Sequence, residues 1–318
     1  MLELKEPCIQ DQQWVNALLE QANQKQTLFS CDLPFGSTFI WRGMYHIRIG
    51  RYKQFYLRAY GNEPGKIRFA YPIGDGDIQE VLAQMLLYAK QVHKELALVG
   101  LTAQQTQQVE ALYPGEFVFA SNRAYAEYIY YSQDLAELKG RKYHGKRNHI
   151  SRFKNMYAYT FEPITEANKE DALHVAKQWC SENVLGRDNG LSHEVCAIRE
   201  AFKYYDTLGF RGALIRVDGI PVAMTAGEPL NDEVFVVHFE KALSGYEGLY
   251  AAINHFFAQT LTKYKYINRE EDLGIEGLRR AKLSYRPCIL LEEYEGVLER
   301  DKIYAACGRA NGAVQGAV

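Results

Sequence analysis

Short apolar segments alternate with turn residues along the whole 318-residue chain. In the first half, the pattern predicts a helix over 11–24, a meander of strands, and then helix, strand, helix and two further strands. The meander strands are predicted at 26–30, 37–41, 45–49, 54–60 and 66–71. Gly74-Asp-Gly-Asp77 is interpreted as a helix cap, since Asp75 and Asp77 disfavour a phosphate at that position.

The second half predicts a different and more regular order: strand, two helices, three antiparallel strands, helix, strand, helix and strand. The best local signal is Asp218-Gly219 between two apolar runs, which is typical of a tight hairpin turn. A loop is predicted at 186–190. The elements are predicted at 157–163, 166–183, 192–208, 211–217, 220–228, 233–240, 250–261, 264–268, 274–283 and 287–294.

The composition indicates the broad class of protein. Apolar residues make up 47% and charged residues 24%, as in an ordinary water-soluble globular protein, and the length suits two domains. No apolar run is long enough to span a bilayer, and the N-terminus lacks the pattern of a secretory signal, so we expect a cytoplasmic protein. The six cysteines show no zinc spacing, so we expect reduced thiols and no metal site.

Charge is concentrated in one place. Residues 139–154 carry seven cations and no carboxylate, although the chain as a whole has a formal charge of -2. Apolar residues recur at helical spacing in this stretch, which predicts a helix with a cationic face for a phosphate-bearing ligand. The alternative is an ordinary solvated helix face. The candidate ligand-binding residues are Arg141, Lys142, His144, Lys146, Arg147, Asn148 and His149.

The element order of the second half resembles the GNAT acyltransferase superfamily, in which two central strands splay apart around an acyl donor. The first half resembles a degenerate copy, as in Fem-type aminoacyltransferases. The stretches 141–150 and 268–287 are similar to segments of a bacterial family of unknown function related to the phosphatidylglycerol lysyltransferase C-terminal domain. This resemblance implies an α/β, mixed α+β fold with two tandem GNAT-like domains, each a mixed, mostly antiparallel sheet flanked by helices.

The domain boundaries implied by this resemblance follow the chain. We expect a degenerate GNAT-like domain at 1–133, a basic helical connector at 134–156, and a GNAT-like domain with the site at 157–300. The glycine- and alanine-rich tail at 301–318 is predicted to be weakly ordered.

The loop before 250 bears on the acyl donor. GNAT enzymes wrap the coenzyme A pyrophosphate there, at a helix N-terminus. Gly245, Tyr246 and Gly248 are candidate donor-binding residues, but Glu247 places a negative charge where a diphosphate binds. An aminoacyl-tRNA donor has no such requirement and would use cations and aromatic side chains instead.

Acyl transfer needs a proton acceptor, a proton donor for the leaving group, and stabilisation of an oxyanion. Glu228 and Glu240 end two central strands, and either is a candidate to accept a proton or bind an ammonium group. In the enzymes that this chain resembles, the region corresponding to 282–285 lines the donor channel, and this resemblance makes Tyr285 a candidate proton donor to the leaving group. The alternative is a helix-end tyrosine packed on the sheet. The further candidate binding residues are His238, Asn268, Arg269, Asp272, Lys282 and Ser284.

The resulting expectation is an acyltransferase that transfers an aminoacyl group from tRNA to an amine or hydroxyl acceptor. Acetyl-CoA-dependent N-acetylation is one alternative. A non-catalytic protein that binds RNA or anionic lipid headgroups is the other, and any lipid contact would be peripheral rather than integral.

Overall fold

The computed structural model describes residues 2–183 and 190–298. They form two compact units, each assembled from separate stretches of chain. The first unit takes residues 2–27, 41–126 and 292–298, and the second takes 28–40 and 127–291. The tail predicted at 301–318, and all but the last residue of the loop predicted at 186–190, lie outside the described residues.

Helices and strands are numbered here in chain order. The helices are α1 Gln12–Lys25, α2 Phe35–Ile40, α3 Ile78–Gln91, α4 Ala103–Leu112, α5 Ser132–Glu137, α6 His144–Met156, α7 Lys169–Asn183, α8 Gly190–Lys203, α9 Tyr205–Leu208, α10 Leu249–Thr260 and α11 Glu276–Leu283. The strands are β1 Arg48–Tyr52, β2 Phe55–Tyr60, β3 Lys66–Ala70, β4 Ile73–Gly74, β5 Glu95–Leu101, β6 Phe117–Ser121, β7 Glu127–Tyr131, β8 Tyr159–Pro163, β9 Arg211–Val217, β10 Ile220–Pro229, β11 Val234–Ala242, β12 Tyr266–Asn268, β13 Ile289–Leu291 and β14 Tyr294–Leu298.

The first unit is built on a sheet in the order β1-β2-β3-β5-β14-β6, with β4 also paired to β2. Helix α3 contributes an apolar face of Val81, Met85 and Ala89 to its core. The predicted cap of this helix is confirmed, because the Asp77 carboxylate accepts hydrogen bonds from the backbone N–H groups of Gln79 and Glu80.

The second unit is built on a sheet in the order β13-β7-β12-β11-β10-β9-β8. The predicted hairpin between β9 and β10 is confirmed, and both turn residues have positive φ, 50° at Asp218 and 81° at Gly219. Helices α5, α6 and α10 share one core with the sheet. Their buried side chains include Leu135, Ile150, Phe153, Ile253 and Phe257.

Strands β11 and β12 form the one parallel pair of this sheet within the described residues, and they separate early. The pairing joins Val234–Val236 to Tyr266–Asn268. Strand β11 then continues to Ala242, whereas β12 ends at Asn268. The predicted opening between the two strands is therefore present, and it leaves the end of β11 accessible to side chains from other elements.

Three strand predictions need correction. The segment 26–30 forms no strand, and 37–41 is largely the helix α2, whose six residues are all buried. Burial on every side removes the alternation that distinguishes a strand from a helix in sequence. The strand predicted at 287–294 is wrong in its bounds, because the chain forms β13 in one sheet and β14 in the other.

No described helix has the length and apolar character that a membrane span requires.

Candidate active site

Glu240 lies at the centre of a polar cluster in the opening between β11 and β12. One carboxylate oxygen accepts a hydrogen bond from Arg269 Nη2 at 2.7 Å, and the other accepts one from Asn254 Nδ2 at 3.1 Å. Arg269 follows the last residue of β12, and Asn254 projects from α10. Three separate elements thus place a carboxylate, a guanidinium and an amide together.

Two atoms of this cluster are buried without a hydrogen-bond partner among the described residues. They are Arg269 Nη1, a donor, and Asn254 Oδ1, an acceptor. Buried polar groups are nearly always hydrogen-bonded, since leaving one unpaired costs about 1–3 kcal/mol. The cluster therefore offers one donor and one acceptor to a ligand, beside the Glu240 carboxylate.

Aromatic rings line the cationic side of the cluster. Arg269 lies over the rings of Tyr130 and Tyr285, with its guanidinium carbon 5.8 Å and 5.0 Å from the two ring centres. Lys146 Nζ is 3.8 Å from the centre of the Tyr285 ring. Such arrangements stabilise cations that are removed from water.

These surroundings change the protonation of two candidate groups. Burial, followed by repulsion from Arg269, lowers the pKa of Lys146 to about 8, although Glu240 acts in the opposite direction. Burial raises the pKa of Tyr285 to about 12. Near neutral pH, Tyr285 holds its proton, whereas a fraction of Lys146 is neutral.

His238, two residues before Glu240 on β11, contacts two carboxylates. Its Nε2 is 3.0 Å from Glu228 Oε1 and its Nδ1 is 2.7 Å from Glu270 Oε1. Burial alone would lower the pKa of His238, but the hydrogen bonds to both carboxylates outweigh burial and raise it to about 10. The other Glu228 oxygen accepts the backbone N–H of Gly36 at 3.1 Å. Glu228 and His238 are therefore engaged within the protein.

The remaining candidates of the 268–285 stretch contact the protein itself. Asn268 Nδ2 donates to the carbonyl oxygen of Phe29 at 2.7 Å, and Asp272 accepts two hydrogen bonds from Arg279. The Arg279 hydrogen bonds, against the effect of burial, hold the pKa of Asp272 well below its usual range. Lys282 Nζ donates to two backbone carbonyls, whereas Ser284 is exposed.

Two backbone donors of the loop before α10 are already engaged. The Ser244 N–H donates to Glu182 at 3.1 Å, and the Glu247 N–H donates to the Tyr157 hydroxyl at 3.1 Å. Tyr246 packs edge-on against Tyr157. The space around the two glycines is unequal. A Cβ at Gly245 would meet nothing within 4 Å, whereas one at Gly248 would lie 2.2 Å from the carbonyl oxygen of His149.

The cationic stretch forms a 3₁₀ turn, Arg141–Tyr143, followed by α6, and most of its candidates are exposed. Lys142 pairs with Asp134 at 3.1 Å, and Arg147 donates to the carbonyl oxygen of Gly140 at 2.8 Å. Arg152 pairs with Glu247 at 2.7 Å. Lys146 is the member of the set that reaches the polar cluster. Also exposed are Arg141, His144, Asn148 and His149.

Sequence reasoning missed Asn254, the buried Glu127 and the partly buried Glu271. Asn254 is a polar residue within the apolar run of a buried helix, which is a usable signal. Glu127 and Glu271 are concealed among neighbouring charged and aromatic residues. Burial, and then repulsion from nearby carboxylates, raises the pKa of both.

Comparison with known proteins gives a consistent result. A family model described as phosphatidylglycerol lysyltransferase, C-terminal, matches residues 26–295. A conserved protein of unknown function from Bacteroides thetaiotaomicron shares 37% identity and a TM-score of 0.88, over 94% of this chain and 100% of that one. No curated protein gives a significant match.

More distant structures share the fold. L-PGS from Bacillus licheniformis has 15% identity and a TM-score of 0.62, over 92% of this chain and 95% of that one. A tandem GNAT protein from the clavulanic acid biosynthesis pathway has 10% identity and a TM-score of 0.51, over 93% and 98%. The expected fold of two tandem GNAT-like domains is confirmed.

Proposed function

The chain belongs to the phosphatidylglycerol lysyltransferase C-terminal family, and from that premise we propose that it is an acyltransferase. Its donor in this proposal is an aminoacyl-tRNA, and its acceptor carries an amine or a hydroxyl group. The observation that carries the proposal is the cluster of Glu240, Arg269 and Asn254 with its two buried, unpaired atoms.

An aminoacyl ester fits the two unpaired atoms. It carries an ammonium group on the carbon next to the ester carbonyl, so a donor and an acceptor lie a few bonds apart. The ammonium group would donate to Asn254 Oδ1 and be neutralised by Glu240, and the carbonyl oxygen would accept from Arg269 Nη1. An acetyl group offers the carbonyl but not the ammonium.

The same groups suit the chemistry. The acceptor nitrogen or oxygen attacks the ester carbonyl, and the negative charge that develops on the carbonyl oxygen is stabilised by the Arg269 N–H. The ester carbon–oxygen bond then breaks and the new acyl bond remains. The neutral form of Lys146 accepts the proton of the acceptor, and Tyr285 supplies one to the departing tRNA hydroxyl.

The loop before α10 favours a donor without a pyrophosphate. In that loop the N–H groups of Ser244 and Glu247 already donate to Glu182 and Tyr157. A coenzyme A pyrophosphate that bound to these two N–H groups would have to displace both partners, and it would lie near the Glu247 carboxylate. Acetyl-CoA therefore remains the second candidate donor, supported by the fold rather than by this loop.

A thermal-shift experiment tests the donor. The probes are 3′-lysylamino- and 3′-alanylamino-adenosine, which are stable amide analogues of an aminoacyl-tRNA end, and acetyl-CoA. We expect at least one amide analogue to raise the Tm by about 3 °C or more near saturation, and Asn254→Ala to abolish the shift. Glu194→Gln is the control, because Glu194 pairs with Lys241 outside the cluster.

Each alternative predicts a different result. A shift with acetyl-CoA, and none with either analogue, would favour N-acetylation. Binding of tRNA that does not depend on its aminoacyl end, with no shift from any of the three probes, would favour a non-catalytic RNA-binding protein. A shift that only anionic lipid vesicles produce would favour headgroup binding.

A further inference from the structure

Lys282 is a buried cation whose hydrogen bonds are directed at backbone carbonyls. Its Nζ donates to the carbonyl oxygen of Arg269 at 2.5 Å and to that of Glu271. The residue is 7% exposed. Its Nζ lies 5.7 Å from the centre of the Tyr128 ring. Both carbonyls belong to the loop that begins where β12 ends, and that loop carries Arg269.

This loop needs such support from outside. Glu270 and Leu273 both have left-handed backbone conformations, with φ of 57° and 52°, and non-glycine residues adopt that region at a cost. The loop also has consecutive acidic residues at 270–272, which repel one another when buried. A cation that bonds two of its carbonyls counters both effects.

Among the described residues, other hydrogen bonds fix the backbone on the two sides of Arg269. The Arg269 N–H donates to the carbonyl oxygen of Tyr128 at 3.0 Å. The Glu270 N–H donates to Asn268 Oδ1 at 2.8 Å, and the Glu270 carboxylate bonds His238. Lys282 completes the set, because its ammonium donates to the carbonyl oxygen of Arg269.

We propose that Lys282 is a positioning residue, which fixes the backbone of Arg269 so that the guanidinium reaches Glu240, and which touches no substrate itself. This changes the role expected of Lys282 from donor binding to support of the residue that binds the donor. The activity arm of its test rests on the proposed function, whereas the structural arm does not.

A double-mutant cycle separates the two roles. The probe is the amide analogue that binds, and its affinity is measured for Lys282→Met, Arg269→Ala and the double variant. If Lys282 acts through Arg269, Lys282→Met weakens binding about tenfold in the native background, and less than about twofold when Arg269 is already absent. Equal factors in the two backgrounds would indicate direct contact and overturn the proposal.

Hydrogen exchange of the loop amides needs no ligand. We expect Lys282→Met to speed exchange of the Arg269 and Glu270 amides about tenfold or more, and Lys282→Arg to restore much of the protection, since a guanidinium also donates to two carbonyls. Lys241→Met is the matched control, a buried lysine that pairs with Glu194 instead.

The two arms distinguish the ways of failing. If no probe binds the native protein, the proposed donor is wrong, and exchange alone decides the role of Lys282. Unchanged loop exchange in Lys282→Met overturns the positioning role whatever the probes do. Should Lys282→Met fail to fold, Lys282→Gln, which keeps one donor group, is expected to show an intermediate increase in exchange.

Discussion

Helix α6 and the loop 268–272 are both dense in charge, and they stabilise it by different means. The ion pairs of α6 and of the turn before it lie at the surface. In the pair of Lys142 with Asp134 the side chains are 48% and 37% exposed, and in the pair of Arg152 with Glu247 they are 64% and 44% exposed. Exposed pairs of this kind contribute about 0–1 kcal/mol each, because water screens them.

The loop 268–272 and its ion-pair partners on β11 have charges inside the second unit. The side chains of Arg269 and Glu240 are 11% and 13% exposed, and the side chain of His238 is inaccessible to solvent. Removing one partner of a buried pair leaves an uncompensated charge, which costs about 3–5 kcal/mol. The two regions therefore differ more in the energetic weight of each charge than in the number of charges.

The comparison shows that the most charged stretch of the sequence and the polar cluster in the structure are different regions of the molecule. The cationic stretch is the most conspicuous feature of the sequence, yet the polar cluster with two unpaired buried atoms lies in the opening between β11 and β12. Of that stretch, Lys146 is the residue that contributes to both, because its ammonium leaves the surface and packs on Tyr285.

The largest effect is expected from His238. His238→Gln leaves the buried Glu228 and the partly buried Glu270 without a cation between them, so we expect the free energy of unfolding at pH 7 to fall by about 3–5 kcal/mol. Urea denaturation measures this value. A decrease below about 1 kcal/mol would contradict the idea that buried charges dominate this region.

The same variant tests a pH dependence. Because the folded pKa of His238, about 10, is above its ordinary value of 6.5, the stabilisation is complete below about pH 6.5 and is lost as the pH rises through about 10. The difference in unfolding free energy between the native protein and His238→Gln should therefore shrink from pH 6.5 to pH 10. A difference that stays constant would show that His238 is not charged in the native state.

A smaller effect is expected where α6 meets the loop before α10. Gly248→Ala combines a φ of 79° with a Cβ placed 2.2 Å from a backbone oxygen of His149, so we expect a decrease in stability of about 3 kcal/mol. Gly245→Ala is the matched control, since its φ of 89° is similar but its surroundings are open. It should cost about 1 kcal/mol. Equal changes in denaturant midpoints would indicate that α6 and this loop are not closely packed.

The sequence predicts those parts of the fold that depend on residues close to one another along the chain. The Asp218-Gly219 turn, the Asp77 cap and the order of the second half all depend on residues close in sequence. The membership of segments 28–40 and 292–298 in their units depends instead on residues far away in sequence. Strand β14 pairs with β5 and β6, far away along the chain, and α2 is buried on all sides. Neither leaves a periodic signature.

The candidate site was predicted in part for the same reason. Strand ends indicate Glu240 and Arg269, the cationic helix indicates Lys146, and the family resemblance implies Tyr285. The structure brings these four residues together. Some of the charged residues face the opening and others form hydrogen bonds within the protein. Partners from distant segments decide between the two. The partners of His238 and Lys282 could not be identified from their neighbours in sequence.

The smallest effect on stability is expected from the exposed face of α6 and the turn before it. Replacing Arg141, Lys142 and Arg152 together by Ala should change the unfolding free energy by less than about 1 kcal/mol, since the ion pairs are exposed. If this face binds tRNA phosphates, the triple variant should bind tRNA more weakly at low salt. The slope of log affinity against log salt concentration should also fall in magnitude by ~1 for each phosphate that is no longer neutralised. The control replaces Lys177, Lys263 and Arg280, which are exposed cations elsewhere in the second unit. Identical salt slopes for the two triple variants would show that α6 carries ordinary solvated charge, and would leave tRNA recognition, if it occurs, to other surfaces.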